Sequence, residues 1–242
     1  SMVPEGYKLV FEDNFDSGSL DLDKWSYRAN GPRRCGFNAP SAVSIENGHL
    51  VIRQTYRDGE YGLGWYGGMI RANKRFCRGY FEIRCICSDA TQGSFWSAFW
   101  LQGPSPYDPE ISRGGIGPGG AEIDILEAFC DENGQALMES NIHCAGKRDS
   151  KAAPGGLDSF QPVHRVVSDG YSAFHTYALE WTETEYRFFL DGELQAVTSW
   201  GDGVSSQEEE LIVSLELPGK APESTDMTST FIVDSVRIWQ KD

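Results

Sequence analysis

The chain is short of positive charge. It holds 21 Lys and Arg against 36 Asp and Glu, a net charge of −15, with only four His. Nucleic acids and anionic membrane surfaces are recognised through basic faces, so neither is an expected partner, and a neutral substrate fits best. No run of eighteen apolar residues is present, so no membrane-spanning helix is expected. An internal repeat, a domain linker and a convincing long amphipathic helix are also missing. The six cysteines, at 35, 77, 85, 87, 130 and 144, follow no zinc spacing and leave disulfides and buried free thiols both open. No signal peptide is visible. Ser1-Met2 reads as a vestige of cloning, and the expectation is a secreted or cell-surface protein whose leader has been removed.

What the chain does have is Glu122-Ile123-Asp124-Ile125-Leu126-Glu127. Apolar and acidic residues alternate over its first four positions, the period of a half-buried strand. Strict alternation would place Leu126 on the acidic face, but the next acid is Glu127. One extra residue, a β-bulge near Ile125-Leu126, would return Glu127 to the face of Glu122 and Asp124. Three adjacent carboxylates repel, and two uses justify them. One is a hard cation with oxygen ligands. The other is glycoside hydrolysis, with one carboxylate as nucleophile and one carboxylic acid as proton donor. A solvated acidic strand face is the plain alternative.

The rest reads as many short strands with turn signals between them. Asn47-Gly48 joins Ala42-Val43-Ser44-Ile45 to Leu50-Val51-Ile52 as a hairpin. Tyr80 to Cys87, Ser94 to Leu101, Phe174 to Trp181 and Phe231 to Trp239 are further strands. Residues 103–120, rich in Gly and Pro, form a long loop before the acids. An all-β sandwich or barrel follows, with residues 1–242 as one domain. Aromatics make up 12% of the chain, including seven Trp, and flat rings suit sugar stacking.

The segments Leu9 to Trp25, Asn47 to Leu50, Gly79 to Arg84, Phe95 to Trp100, Glu122 to Glu127, Phe174 to Trp181, Phe189 to Gly192 and Phe231 to Trp239 resemble, in this order, glycoside hydrolase family 16. The resemblance implies a β-jelly roll of two antiparallel sheets with a concave sugar cleft. It implies a retaining endo-glycosidase with Glu122 as nucleophile, Asp124 as its helper and Glu127 as acid/base. Two residues between Asp124 and Glu127 resemble the laminarinase-like and endo-β-galactosidase-like branches. The implied substrate is a polysaccharide, a β-1,3- or mixed β-1,3/1,4-glucan before a galactan or a mucin- or keratan-type glycan. The implied enzyme is a monomer that needs no cofactor for catalysis. The resemblance also implies a structural calcium on the convex side, with Asp234 and the Gly48 carbonyl as ligands.

Spacing leaves Trp96 and Trp100 open between core and cleft, and the resemblance turns Trp96 to the cleft. Trp65, in a Gly-rich loop, reads as a binding platform. His143 reads as a site residue or a core histidine, Arg71 as a partner for a carboxylate or a sugar hydroxyl, and Asn38 as a cleft residue or a turn former. A non-catalytic carbohydrate-binding module on the same fold is the alternative from another class. A calcium-dependent structural domain is a third.

Overall fold

The computed structural model describes residues 3–92, 95–130, 133, 135–148, 157–159 and 167–241. Strands dominate. In chain order they are β1 (Lys8–Asp13), β2 (Trp25–Tyr27), β3 (Gly31–Arg33), β4 (Gly36–Asn38), β5 (Val43–Glu46), β6 (His49–Gly59), β7 (Gly62–Phe76), β8 (Gly79–Ile86), β9 (Trp96–Gln102), β10 (Glu122–Cys130), β11 (Ala136–Ala145), β12 (Leu157–Ser159), β13 (His175–Trp181), β14 (Tyr186–Leu190), β15 (Glu193–Thr198), β16 (Glu209–Glu216) and β17 (Thr228–Gln240). One helical turn, α1 (Pro109–Ser112), interrupts the long loop before β10.

Two antiparallel sheets stack. One runs β15, β14, β13, β8, β17 and then β6 and β1. The other runs β12, β11, β10, β9, β16, β7, β2. The long strand β7 serves both, pairing with β6 at its start and with β16 further on. This is the expected sandwich, and its core is the layer between the sheets. Ile123, Ile125 and Leu126 of β10 meet Phe81, Leu179, Trp181 and Val236 of the facing sheet there. A fully buried aliphatic or aromatic side chain contributes roughly 1.5–3 kcal/mol, so the sheets are held mainly by this layer. The Asn47-Gly48 hairpin forms as read, both residues taking the left-handed conformation at φ 52° and 76°. All six cysteines are free thiols, three of them buried, which closes the question the sequence left open. Among the described residues no helix is long and apolar enough to cross a membrane.

Candidate active site

The phase slip in β10 is a bulge. Against β9, Asp124 stands opposite Trp100 and Leu126 opposite Phe99, so Ile125 is the extra residue. Against β11, Asp124 pairs with Asn141 and Glu127 with Glu139. The bulge is stabilised from the neighbouring strand, where the buried Ser140 hydroxyl donates to the Ile125 carbonyl at 2.8 Å. Its consequence is the one the pattern required. Glu122, Asp124 and Glu127 all line one cavity of about 260 Å³ on the outer face of the second sheet. Trp96, Trp100, Tyr107, Glu139, Asn141 and His143 complete that flank of the cavity with Ala98 and Phe129.

The three acids have different surroundings. Glu122 accepts from Gln102 Nε2 at 3.2 Å and from the Tyr107 hydroxyl. Burial and the charge of Glu122 push the Tyr107 phenol up, so it remains a donor. Asp124 is 2% exposed, and its Oδ2 lies 3.2 Å from His143 Nε2. Burial raises the Asp124 carboxyl well above the usual range, with the charges of Glu122 and Glu139 adding to it. Glu127, 8% exposed, is raised in the same way by burial, then by Asp124 and Glu139. A carboxylic acid kept neutral near pH 7 by burial and like charge is what a proton donor needs.

The other flank is basic. Arg33 grips Glu216 with two hydrogen bonds, of 3.1 and 2.7 Å, and Arg34 adds a third at 3.3 Å. The Arg34 guanidinium also lies 4.9 Å from the Trp96 ring centre. Near the other end of the same strand β16, Arg28 and Arg71 both bind Glu210, at 2.7 and 2.6 Å. Arg28 also donates to Gln102 at 2.6 Å. Gln102 therefore links the arginine flank to Glu122.

Residues 9–241 match the family described as beta-porphyranase A–D, GH16 domain. The chain belongs to glycoside hydrolase family 16. Beta-porphyranase E of Zobellia galactanivorans is 27% identical over 216 residues, 79% of this chain and 70% of the relative. Glucan endo-1,3-beta-glucosidase A1 of Niallia circulans is 22% identical over 98% of this chain, and keratan-sulfate endo-1,4-beta-galactosidase of Sphingobacterium multivorum 24% over 97%. The chain spans only 38% and 55% of those two relatives. The crystal structure of SCLam, a non-specific endo-beta-1,3(4)-glucanase from family GH16, covers 100% of this chain and 94% of its own, with a TM-score of 0.77 at 22% identity. That likeness confirms the jelly-roll fold. The family 16 domain is accordingly a glycoside hydrolase.

Within this domain the structure brings Glu122, Asp124, Glu127, Trp96, Trp100 and His143 together and leaves other candidates outside. Trp65 is no platform. It is 2% exposed and packs on Phe95 in the core, because its loop is in fact the regular strand β7. Asn38 is neither turn former nor cleft residue. It is 1% exposed in β4 beside Gly67 and is absent from the cavity wall. Arg71 pairs with a carboxylate, Glu210, the first of its two readings. The calcium ligands do not fit. Asp234 already sits 3.1 Å from the Arg84 guanidinium, with His49 at 3.6 Å, so a cation of the chain itself holds the carboxylate a metal would need. The described residues that come nearest to a metal set are Glu122, Asp124 and His143, whose ligand atoms lie within 4.8 Å of one another.

Sequence reasoning missed Tyr107, Gln102, Glu139, Glu216 and the role of Arg33 and Arg34. Glu139 was within reach, because Glu139, Asn141 and His143 alternate along one face of β11. Tyr107 was not. It sits fifteen residues before Glu122 in an irregular loop, and only the path of that loop turns it inward.

Proposed function

We propose that this family 16 domain is a retaining endo-β-glycosidase that cuts internal linkages of a polysaccharide, with β-1,3- or mixed β-1,3/1,4-glucan as the first substrate class. The observation that carries this reading is the bulge at Ile125, which puts a carboxylate held by two donors on the same face as a buried, proton-holding carboxyl. Glu122 attacks the anomeric carbon while Glu127 protonates the departing glycosidic oxygen. The covalent glycosyl–enzyme is then opened by a water that Glu127 deprotonates, and the Glu122 carboxylate leaves. Asp124, neutral by burial and close to both glutamates in the ladder, holds the shared proton between steps. Trp96 and Trp100 present aromatic faces to the sugar rings beside the reacting bond. No cofactor takes part in this scheme. A secreted or cell-surface monomer goes with it.

Two inversions at one carbon leave the product in the β form. Proton NMR of a fresh digest is expected to show the β-anomer before mutarotation, and an α-anomer first would overturn the assignment. Product lengths test the endo reading. A ladder of oligosaccharides is expected, and a single monosaccharide as sole product would sink it.

The arginine flank favours one second reading. Arg33 and Arg34, each about one-third exposed, bring positive charge to a cleft in an acidic chain. A galactan or keratan-type glycan bearing anionic groups would meet that charge, and one relative is named for keratan sulfate. Activity on galactosides with none on laminarin or barley glucan would select this reading.

A further inference from the structure

Outside the cleft face, one carboxyl is buried completely and has no part in the scheme above. Glu209, the first residue of β16, is 0% exposed. Its Oε1 accepts from the Ala121 backbone N–H at 3.1 Å and from the Ser205 hydroxyl at 2.8 Å. Its Oε2 has no hydrogen-bond partner among the described residues. Ala121 immediately precedes Glu122 and is itself 1% exposed. A buried backbone N–H without an acceptor costs about 1–3 kcal/mol, and at Ala121 the side chain that meets this need is Glu209.

The surrounding backbone is tied down in other directions. Gly103 N–H donates to the Ala121 carbonyl at 2.7 Å, Ser105 N–H to the Gly119 carbonyl at 2.9 Å, and the Ser112 hydroxyl to the Gly120 carbonyl at 2.8 Å. Gly120 adopts φ +65°, and a Cβ there would stand 2.9 Å from Glu209 Oε1. The chain therefore enters the catalytic strand in a slot whose back wall is the Glu209 carboxyl.

We propose that Glu209 is a positioning residue of the catalytic strand, a neutral carboxylic acid that clamps the Gly120–Ala121 backbone from behind and so sets where Glu122 stands. The neutral form follows from the surroundings. The groups facing Glu209 are Ala121 N–H and Glu122 from β10, the Ser205 hydroxyl, Tyr186 from β14, Cys77 after β7, and its register partner Phe76. None of these is a cation. A buried charge without a counter-charge costs far more than an unpaired O–H. Burial accordingly pushes the Glu209 carboxyl up to about 8 against the opposing pull of the Ala121 and Ser205 hydrogen bonds, with the charge of Glu122 adding to burial.

A carboxyl neutral in the fold and ionised in the unfolded chain makes stability fall as pH rises between those two values. For Glu209 that window runs from the usual 4.5 to about 8. The test compares the wild type with Glu209→Gln and Glu209→Leu. Urea unfolding at half-unit steps from pH 5 to 8 is expected to show the wild-type unfolding constant rising about tenfold per pH unit relative to the Glu209→Gln variant. Equal slopes would overturn the neutral acid. Amide hydrogen exchange at Ala121, read by nitrogen-15 NMR, is expected to accelerate at least tenfold in Glu209→Leu and to be restored in Glu209→Gln. Unchanged exchange in the leucine variant would overturn the clamp. If that variant does not fold, Ser205→Ala tests the same contact, because the loosened carboxyl is expected to release the Ala121 amide, and unchanged exchange there counts against the proposal. The catalytic part rests on Glu122 being the nucleophile. It predicts that Glu209→Leu lowers kcat about tenfold at unchanged KM and that Glu209→Gln recovers it at pH 6. The unfolding and exchange readouts do not involve turnover, so they separate a failure of the clamp from a failure of the glycosidase reading.

Discussion

Glu127 and Glu210 stand on the same face of one sheet, both largely buried, and ionise in opposite directions. Glu127 is surrounded by Asp124, Glu139 and Glu122, with His143 the one counterweight, so burial and like charge hold its proton. Burial pushes Glu210 up as well, but hydrogen bonds from Arg71 and Arg28 outweigh it and hold that carboxyl below the usual range. The residue type and the sheet are the same in both cases, and the difference is the partner. The β10–β11 flank keeps carboxylates beside carboxylates, which weakens the fold and makes a proton available. The β7–β16 flank pairs its cleft-facing acids, Glu210 and Glu216, with arginines, which neutralises them and leaves positive charge facing the cleft. A network of opposite charges and a cluster of like charges are built from similar parts, with only β9 between them.

The strongest way to break this contrast is activity. Glu127→Gln and Glu122→Gln should each lower kcat roughly 10²–10⁴-fold, the usual cost of removing proton transfer or the nucleophile. Glu210→Gln should keep kcat within about tenfold, since it changes only the support of Gln102 through Arg28. If the Glu210 variant falls as far as the Glu127 variant, the two flanks are one machine. Either catalytic variant keeping more than about a tenth of wild-type turnover would refute the assignment.

Stability should divide the flanks the other way. Glu210→Gln removes the charge and leaves Arg28 and Arg71 one amide oxygen in place of two carboxylate oxygens, and is expected to cost about 1–3 kcal/mol in urea unfolding at pH 7, the arginines being partly solvated. Glu127→Gln removes a buried acid from a like-charged cluster and is expected to be neutral or stabilising above pH 7. A destabilised Glu127 variant at pH 8 would remove the electrostatic contrast.

The pH dependence sharpens the same point. Glu127 and Asp124 have raised values in the fold, so the stability they contribute is complete below the usual carboxylate range and is lost as pH rises through their folded values. Glu210 has a lowered value, so its contribution is present above the ordinary value of 4.5 and is lost as pH falls through the folded one. The fall of the wild-type melting temperature on the alkaline side should therefore be reduced in Glu127→Gln, and its fall on the acid side reduced in Glu210→Gln. Activity should be bell-shaped, with an optimum on the mildly acidic to neutral side, and a rate still rising above pH 9 would contradict Glu127 as acid.

The smallest effect should come from the seam between the flanks. Trp96 packs on Phe129 of β10 at 5.3 Å and lies under Arg34. Trp96→Ala should raise KM about tenfold with little change in kcat, corresponding to about 1–2 kcal/mol of apolar contact with the sugar. An equal fall in kcat would place Trp96 in the catalytic step rather than in binding.

Much of this was legible in the residues themselves. Alternation in Glu122-Ile123-Asp124-Ile125 marks a strand because side chains on an extended backbone point to opposite faces. The late arrival of Glu127 marks a bulge because only an extra residue repairs the phase. These are local facts, settled by covalent geometry and a period of two, so the acidic strand and its three carboxylates could be read before any fold was known. Trp65 and Asn38 could not. A tryptophan among glycines looks like a loop platform, but β7 runs straight through those glycines between two sheets, and burial then depends on what lies opposite, Phe95 in this case. Asp234 failed for the same reason, since Arg84 and His49 come from other strands to occupy it.

The sequence by itself therefore determined the strand, its bulge and the identity of the acids. Only the tertiary structure decided which charges keep company. The arginines on Glu210 and the Glu209 clamp join residues far apart in the chain, and the burial that holds the proton on Glu127 and the loop that brings the Tyr107 hydroxyl to Glu122 exist only in the folded sheets. The physical reason is that electrostatic energy depends on distance and on solvent exclusion, and both are set by how the sheets stack.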